Sequence, residues 1–162
     1  MNRNVMPANR SFSQPALAVS DGMVKLAAQV KFAVSDDAPL SPELFDRLAE
    51  SVAVELDNRN KECNKSTQIR RFFDELVGWE QTISGDEKKF QMNEALIRMM
   101  KAKVAYSFGR NRDEKKGKPG LVDDNFRHWF SSCVDKTTSA TELKHFRLHF
   151  EAVLGFLKAL RG

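Results

Sequence analysis

This sequence lacks the features by which membrane-spanning, disulfide-linked and zinc-binding proteins are usually recognised. No apolar run approaches the ~20 residues that a membrane-spanning helix needs. The two cysteines, Cys63 and Cys133, stand seventy residues apart, and neither belongs to a Cys-x-x-Cys or Cys/His spacing. We therefore predict no membrane contact and two ordinary reduced thiols in a cytoplasmic protein.

Motifs of catalysis are also missing. The chain has no glycine-rich phosphate loop, no nucleophile elbow and no Cys-His pair at a catalytic spacing. Two pairs of adjacent aspartates, Asp36-Asp37 and Asp123-Asp124, stand at a loop or a helix start. Capping of backbone amides accounts for them there without a bound magnesium ion. These absences favour a protein that is not an enzyme and that needs no cofactor.

Two histidines are the remaining candidates for a metal site. His145 and His149 stand four residues apart on a predicted helix, with Glu142 one turn before them, and this spacing can place two imidazoles on one zinc ion. The metalloprotease form His-Glu-x-x-His is absent, because Phe146 follows His145. His149 adjoins Phe150 at the edge of an apolar stripe, where a half-buried structural histidine is commoner. We predict no metal site, and a metal-dependent enzyme is our third-ranked hypothesis.

The rest of the chain is dominated by the apolar spacing of helices. With 162 residues, 41% of them hydrophobic, the sequence suits one domain with a sizeable core. From residue 41 onward, apolar residues recur every three or four positions, which predicts amphipathic helices. Capping signals mark their starts at Ser41-Pro42, Ser66 or Thr67, Gly85-Asp86, Asp123-Asp124 and the capping box Ser139 to Glu142.

Two segments carry particular expectations. The third helix is predicted to run from Asp86 to a stop at Gly109 and to bury Leu96, Ile97, Met100, Val104 and Phe108. Residues 22–34 fit both a strand and a helix, and we interpret them as a short helix because a lone strand would have no partner. The predicted fold class is all-α, a compact antiparallel bundle of about five helices over residues 21–162, preceded by a flexible, disordered tail over residues 1–20.

The cationic excess of the chain is concentrated in one short segment. Residues 98–118 contain eight Lys or Arg and only two acidic residues, a net charge of +6, on a chain whose total is +4. A local charge of this kind is the electrostatic footprint of a protein that binds polyanions, most often nucleic acid. The alternative is a lysine-rich helix end and loop that are solvated and serve only solubility.

Helical geometry divides the cations of this segment between two flanks. At about 100° per residue, Lys103, Tyr106 and Arg110 fall within one sector of about 60°. Arg98 and Lys101 fall on the opposite flank of the buried face. Such a helix can pack inward and hold phosphates outward, with Tyr106 stacking on a base or ribose or bonding a phosphate.

Three stretches, taken in order, resemble the motifs of a known family. Residues 66–76 (STQIRRFFDEL), residues 101–110 (KAKVAYSFGR) and residues 146–158 (FRLHFEAVLGFLK) resemble those of the small subunit of the type III-A CRISPR effector, the Csm complex. The resemblance covers roughly residues 41–162. It departs from the family where Ala102 stands in place of a common proline.

The resemblance implies a helical, non-catalytic subunit of a ribonucleoprotein. Several copies would lie against the crRNA–target RNA duplex and contact copies of themselves, the backbone subunit and the large polymerase-like subunit, to which cleavage and signalling belong. The resemblance places phosphate contacts at Lys103 and Arg110, with Arg70 and Tyr106 behind them. Charge and position alone add Lys65, Arg98, Lys101 and Arg112.

Two hypotheses from different classes therefore lead. The first is a small subunit of a type III-A effector that binds crRNA and target RNA without reading their sequence, supports assembly and serves antiviral defence. Phosphate contacts suit this role because they carry no sequence information. The second is a helical adaptor that joins proteins, with a solvated basic loop and no direct nucleic-acid role.

Overall fold

Seven α-helices and one 3₁₀ turn make up the fold of residues 18–57 and 62–162, which the computed structural model describes. The elements are, in chain order, α1 Asp21–Gln29, the 3₁₀ turn Pro42–Leu44, α2 Arg47–Asp57, α3 Ser66–Ile83, α4 Glu87–Arg98, α5 Met100–Gly109, α6 Asp124–Asp135 and α7 Ala140–Arg161. Those two ranges contain isolated β-bridges but no strand. The predicted all-α bundle is confirmed.

A cluster of aromatic rings joins α6 to α7 at the centre of the core. Phe126, Trp129 and Phe130 of α6 contact Phe146 and Phe150 of α7, with ring centroids 5.0 to 6.4 Å apart. All five side chains are buried. On its other sides α7 packs along α2 and α3. The three- and four-residue spacings of the sequence thus place one ring layer on each helix, and the two layers interlock.

The helix starts agree with the sequence at some positions and differ at others. Asp123 caps α6 by accepting the backbone N–H of Phe126 at 2.9 Å, and Ser139 caps α7 by accepting that of Glu142 at 3.1 Å. The predicted capping by Ser66 or Thr67 is wrong, because α3 begins at Ser66 itself and its N-cap residue, Lys65, makes no side-chain bond.

Ser41-Pro42 begins only the short 3₁₀ turn, and α2 starts later, at Arg47. Residues 22–34 are helical only in their first part. The first part is α1, as predicted, and Val30 to Val34 are outside any helix, with Val30 and Phe32 buried.

The predicted third helix is two helices, with a break at Met99 between α4 and α5. Ile97, Met100 and Val104 are buried as expected. Leu96 is not a core residue: its side chain is 51% exposed. It lies about 90° around the helix from the middle of the buried stripe, so the expectation for Leu96 is wrong.

The predicted tail over residues 1–20 lies almost entirely outside the described residues. Of its last three positions, Ser20 has a defined role: its hydroxyl oxygen accepts the backbone N–H of Met23 at 3.1 Å and caps α1. Its own backbone N–H donates to the side chain of Asn125 at 2.8 Å. The start of α1 is therefore fixed against α6.

The basic loop after α5 is held against the end of that helix. Leu121 donates its backbone N–H to the carbonyl oxygen of Ser107 at 3.0 Å. Gly120 passes so close to α5 that a Cβ at this position would lie 2.0 Å from the carbonyl oxygen of Phe108. The returning end of the loop therefore follows a path that only glycine permits at residue 120.

His149 is fully buried, and both of its ring nitrogens form hydrogen bonds. Nδ1 donates to the carbonyl oxygen of Leu44 at 2.7 Å, and Nε2 accepts from the indole N–H of Trp129 at 3.2 Å. Burial lowers the pKa of His149 from 6.5 to about 4. Nδ1 of His145 lies 2.7 Å from the carbonyl oxygen of Phe32. Over the described ranges, no three His, Cys, Asp or Glu side chains come together as metal ligands.

We expect the free energy of unfolding to fall as the pH drops from 6.5 towards 4. The folded chain excludes a proton that the unfolded chain binds at His149, so acid favours unfolding in this window, and the stabilisation is fully present above it. The contribution lost between pH 7 and pH 5 is about 2 kcal/mol. Urea denaturation at the two pH values measures it. His149→Gln should be less stable at pH 7 but lose less on acidification, and an equal loss in both proteins would contradict this account.

Gly120→Ala should destabilise the protein by about 1–3 kcal/mol, because the new methyl group meets backbone atoms that cannot rotate away. Gly78→Ala is the matched control. Its Cβ meets nothing within 4 Å on α3, and alanine should stabilise the helix by about 0.5–1 kcal/mol. Thermal or urea denaturation compares the two, and a Gly120→Ala protein as stable as the wild type would refute the close approach.

Candidate nucleic-acid interface

The predicted cations lie on two sides of α5, because its buried stripe fixes the rotation of the helix. On one side, the ammonium group of Lys103 contacts the carboxylate of Glu75 on α3. On the other side, Lys101 forms an ion pair of 2.6 Å with Asp135 on α6, and Arg98 lies 3.8 Å from the same carboxylate. The two flanks of the sequence analysis therefore face two different helices.

A groove of about 260 Å³ lies between α3 and α5. Phe72, Ser107 and Leu121 contribute apolar and backbone surface to it. Its charged and aromatic groups are Arg71, Glu75, Lys103, Tyr106 and Arg110. We call this feature the α3–α5 groove. It brings together three of the predicted residues, Lys103, Tyr106 and Arg110, with one arginine from a helix more than twenty positions earlier in the chain.

The charge of the α3–α5 groove is positive. It holds three cations and one carboxylate, that of Glu75. Arg71 and Arg110 have no ion pair with any residue of the described chain, and Lys103 pairs with Glu75 near the surface. Tyr106 is 69% exposed, with its ring open to solvent. Such a site suits a ligand that carries negative charge and a flat group, which is the chemistry of a nucleotide.

Arg71 is the member of the groove that the sequence leaves, with Arg70, as a weaker candidate. Arg70 and Arg71 are adjacent, and an acidic residue four positions later made ordinary surface pairing the default for both. Only Arg70 follows that default, through a 3.2 Å contact with Asp74. Arg70 also lies over the ring of Phe73 at 5.5 Å and outside the groove. Adjacent residues lie about 100° apart around a helix, so Arg70 and Arg71 point in different directions. Which of the two lines the groove can be predicted only when the packing of α3 is known.

The other predicted cations lie outside the α3–α5 groove, and most have carboxylate partners. Arg98 pairs with Glu94 at 3.2 Å as well as with Asp135, and Arg112 pairs with Glu114 at 3.2 Å. Lys65, at the start of α3, is exposed, with no ion pair in residues 18–57 or 62–162. Exposed pairs such as Arg98–Glu94 are worth about 0–1 kcal/mol, so they lower the local positive potential without closing the surface to phosphate, whereas Arg112 is only 22% exposed.

A second arginine that the sequence did not indicate stands on α6. Arg127 lies 4.7 Å from the centroid of the Phe108 ring, and Arg112 lies 4.3 Å from the same centroid. The two guanidinium groups share one ring, an arrangement that cation–π attraction supports. Arg127 stands near the start of α6, and Lys101 of α5 lies beside Asp135 at the end of α6. Cations therefore lie along the side of α5 that faces α6.

A larger depression of the surface, among the described residues, has a different character. It lies between α3 and α7 and measures about 830 Å³. Its polar centre is Arg147, whose guanidinium contacts Glu80 and, at 2.6 Å, Glu151. One cation between two carboxylates leaves no net positive charge at this centre. Size alone therefore does not single out a candidate site, and positive charge makes the α3–α5 groove the candidate.

Comparison with known proteins adds one finding. The family model described as Csm2 Type III-A matches residues 40–162. No match was found among curated proteins or among solved structures. None of the helices in the described residues is long and apolar enough to cross a membrane. The matched range contains α2 to α7 and the whole α3–α5 groove.

Proposed function

The chain belongs to the Csm2 Type III-A family and is thus a small subunit of the type III-A Csm complex, in which we propose that it binds the backbones of crRNA and target RNA. Under this proposal it supports assembly and takes no part in cleavage, and it acts in the cytoplasm in antiviral defence. Because base pairing selects the target, the protein has to hold any strand, and backbone contacts do so.

The α3–α5 groove is the observation that carries the proposal. Arg71 and Arg110, which have no ion pair with a described residue, supply guanidinium forks that match phosphate oxygens. Lys103 supplies a third positive charge, as the family resemblance implies. Tyr106, exposed at the same groove, offers a ring on which a base or ribose stacks without sequence preference.

The remaining predicted contacts belong to the margins of this site. Arg70 and Lys65 lie on α3 beside the groove, and Arg98, Lys101 and Arg112 lie on the α6 side of α5. We propose that they add long-range attraction and secondary phosphate contacts. The carboxylate partners of four of them, Arg70, Arg98, Lys101 and Arg112, have to yield for direct contact, so each of these four should contribute less than Arg71 or Arg110.

Lys103→Glu combined with Arg110→Glu should abolish most RNA binding by the purified chain. The reversal turns a groove with three cations and one carboxylate into one with a single cation, so phosphates are repelled. Fluorescence anisotropy with several unrelated RNA sequences at low salt measures the effect, which should be equal for all of them. Helicity by circular dichroism should be unchanged, because both side chains are exposed.

Lys25→Glu combined with Lys158→Glu is the control for this experiment. It changes the net charge by the same amount at exposed positions of α1 and α7, outside the groove. Its RNA affinity should stay within a few-fold of the wild type.

Arg71→Ala should lower the magnitude of the slope of log affinity against log salt by about 0.7–0.9, because one phosphate contact is lost. RNA binding that survives the groove reversal would remove the site assignment.

Glu75→Gln should raise RNA affinity. The amide keeps the shape of the side chain but removes the charge that pairs with Lys103, so the groove becomes more positive and Lys103 is released for phosphate. The expected gain is roughly two- to fivefold at low salt, the size of an exposed ion pair. Glu43→Gln, which removes the partner of Arg47 at a distant exposed site, should leave RNA affinity unchanged. A loss of affinity in Glu75→Gln would contradict the proposed role of Lys103.

A further inference from the structure

The outer face of α4 carries an apolar stripe that no described residue covers. Met92, Leu96 and Met99 are large hydrophobic side chains with 75%, 51% and 56% of their surface exposed. Ala95 and Ala102 are exposed beside them. We call these five residues the α4 ridge. Exposed hydrophobic residues scattered singly are ordinary, but a contiguous patch of this kind marks an interaction surface.

The spacing of the α4 ridge suits another helix. Met92, Leu96, Met99 and Ala102 follow one another at three or four residues, with Ala95 beside Leu96, so the five residues form one stripe about 15 Å long. The break at Met99 does not divide it, because Met99 keeps helical dihedral angles (φ −62°, ψ −18°) and its carbonyl accepts the N–H of Lys103 at 3.3 Å. The two alanines, seven positions apart, allow a partner helix to approach closely between the longer side chains.

The charges at the two ends of the α4 ridge define the partner. Lys88 and Lys89 precede the stripe, and Lys103, which also pairs with Glu75, follows it; all three are exposed. The acidic residues of α4 are turned elsewhere: Glu87 accepts the backbone N–H of Ala140 at 2.9 Å, and Glu94 pairs with Arg98. A second copy docked through this face, parallel or antiparallel, would place cations opposite cations. The face therefore disfavours self-pairing and favours carboxylates at both ends of the partner.

We propose that the α4 ridge docks an amphipathic helix of a different protein chain, apolar in its middle and acidic at its ends. Family membership places this chain inside a complex of several subunits, so such a neighbour is at hand. Protein interfaces are enriched in methionine and apolar side chains, whereas nucleic-acid interfaces are more polar and cationic. The proposal does not depend on RNA binding in the α3–α5 groove.

Met92→Gln combined with Leu96→Gln tests the docking surface. Glutamine carries no charge and is compatible with a helix, so both changes leave the electrostatic potential of the α3–α5 groove unaltered. The Csm subunits are co-expressed with guide RNA and purified through a tag on the large subunit, and we expect roughly a tenfold or greater loss of this chain from the complex. The RNA affinity of the isolated variant should equal that of the wild type, which separates this test from that of the proposed function.

Val34→Gln combined with Leu160→Gln is the matched control. These side chains are 47% and 48% exposed and lie away from α4, and incorporation should be unchanged. Lys88→Glu combined with Lys89→Glu tests whether the partner helix is acidic at its ends. The two new carboxylates would repel such a partner, so incorporation should also fall roughly tenfold. Undiminished incorporation of the glutamine variant, or of the charge variant, would overturn the proposal as stated.

Two other outcomes would identify a different occupant and also overturn it. A wild-type dimer in sedimentation that the glutamine variant converts to monomer would show a second copy on the ridge. Loss of RNA binding with normal incorporation would show RNA there.

A labelling experiment remains if the variant proves unstable. Met92→Cys adds one exposed thiol to a chain whose own cysteines, Cys63 and Cys133, are buried. Maleimide should modify it roughly tenfold more slowly in the complex than in the free chain, and equal rates would refute the docking.

Discussion

The burial of one stripe of α5 determines where the cations of this protein point. Met100, Val104 and Phe108 are packed into the core, and this fixes the rotation of a helix that carries Lys101 and Lys103 on opposite flanks and ends beside Arg110. Any other rotation would expose these side chains, at a cost of about 1.5–3 kcal/mol each. Lys103, Tyr106 and Arg110 consequently face α3, and Lys101 faces α6. The packing of the core therefore sets the position of the candidate site.

The end of α5 shows how the same packing extends to the loop. Asn111 takes the left-handed conformation (φ 64°), which asparagine tolerates better than most residues, and the chain turns away from the helix. It returns at Gly120 against the carbonyl of Phe108. Asn64, buried and also left-handed (φ 52°), donates its N–H to the carbonyl of Leu121 at 2.9 Å. The chain on both sides of the basic loop is thus anchored, and Arg110 is held beside the groove.

The sequence predicts well what depends on local spacing and poorly what depends on contacts between distant segments. Periodicity yields the all-α class and the buried faces of α6 and α7, because each face is set by residues within one helix. The two flanks of α5 are predictable for the same reason. By contrast, Lys103 meets Glu75 and Lys101 meets Asp135 across 28 and 34 residues, and no local pattern encodes those partners. Arg71 ranked as a weaker candidate because the choice between it and Arg70 requires knowing which neighbour covers each face of α3. Leu96 was misassigned for a different reason, since its angle from the buried stripe is a local property that the sequence already contains.

The α4 ridge and the α3–α5 groove share one nearly continuous helical segment, and this has a consequence for RNA capture. A partner that grips α4 would also fix the direction in which α5 presents Lys103 and Arg110, since the chain stays helical through Met99. Orientation established by a protein contact removes part of the entropy that RNA binding must otherwise overcome. A single groove of about 260 Å³ holds little of a strand, so strong binding needs several grooves along it. Contacts held in line raise one another's effective concentration, and under the proposed function that makes assembly the condition for tight binding of the duplex.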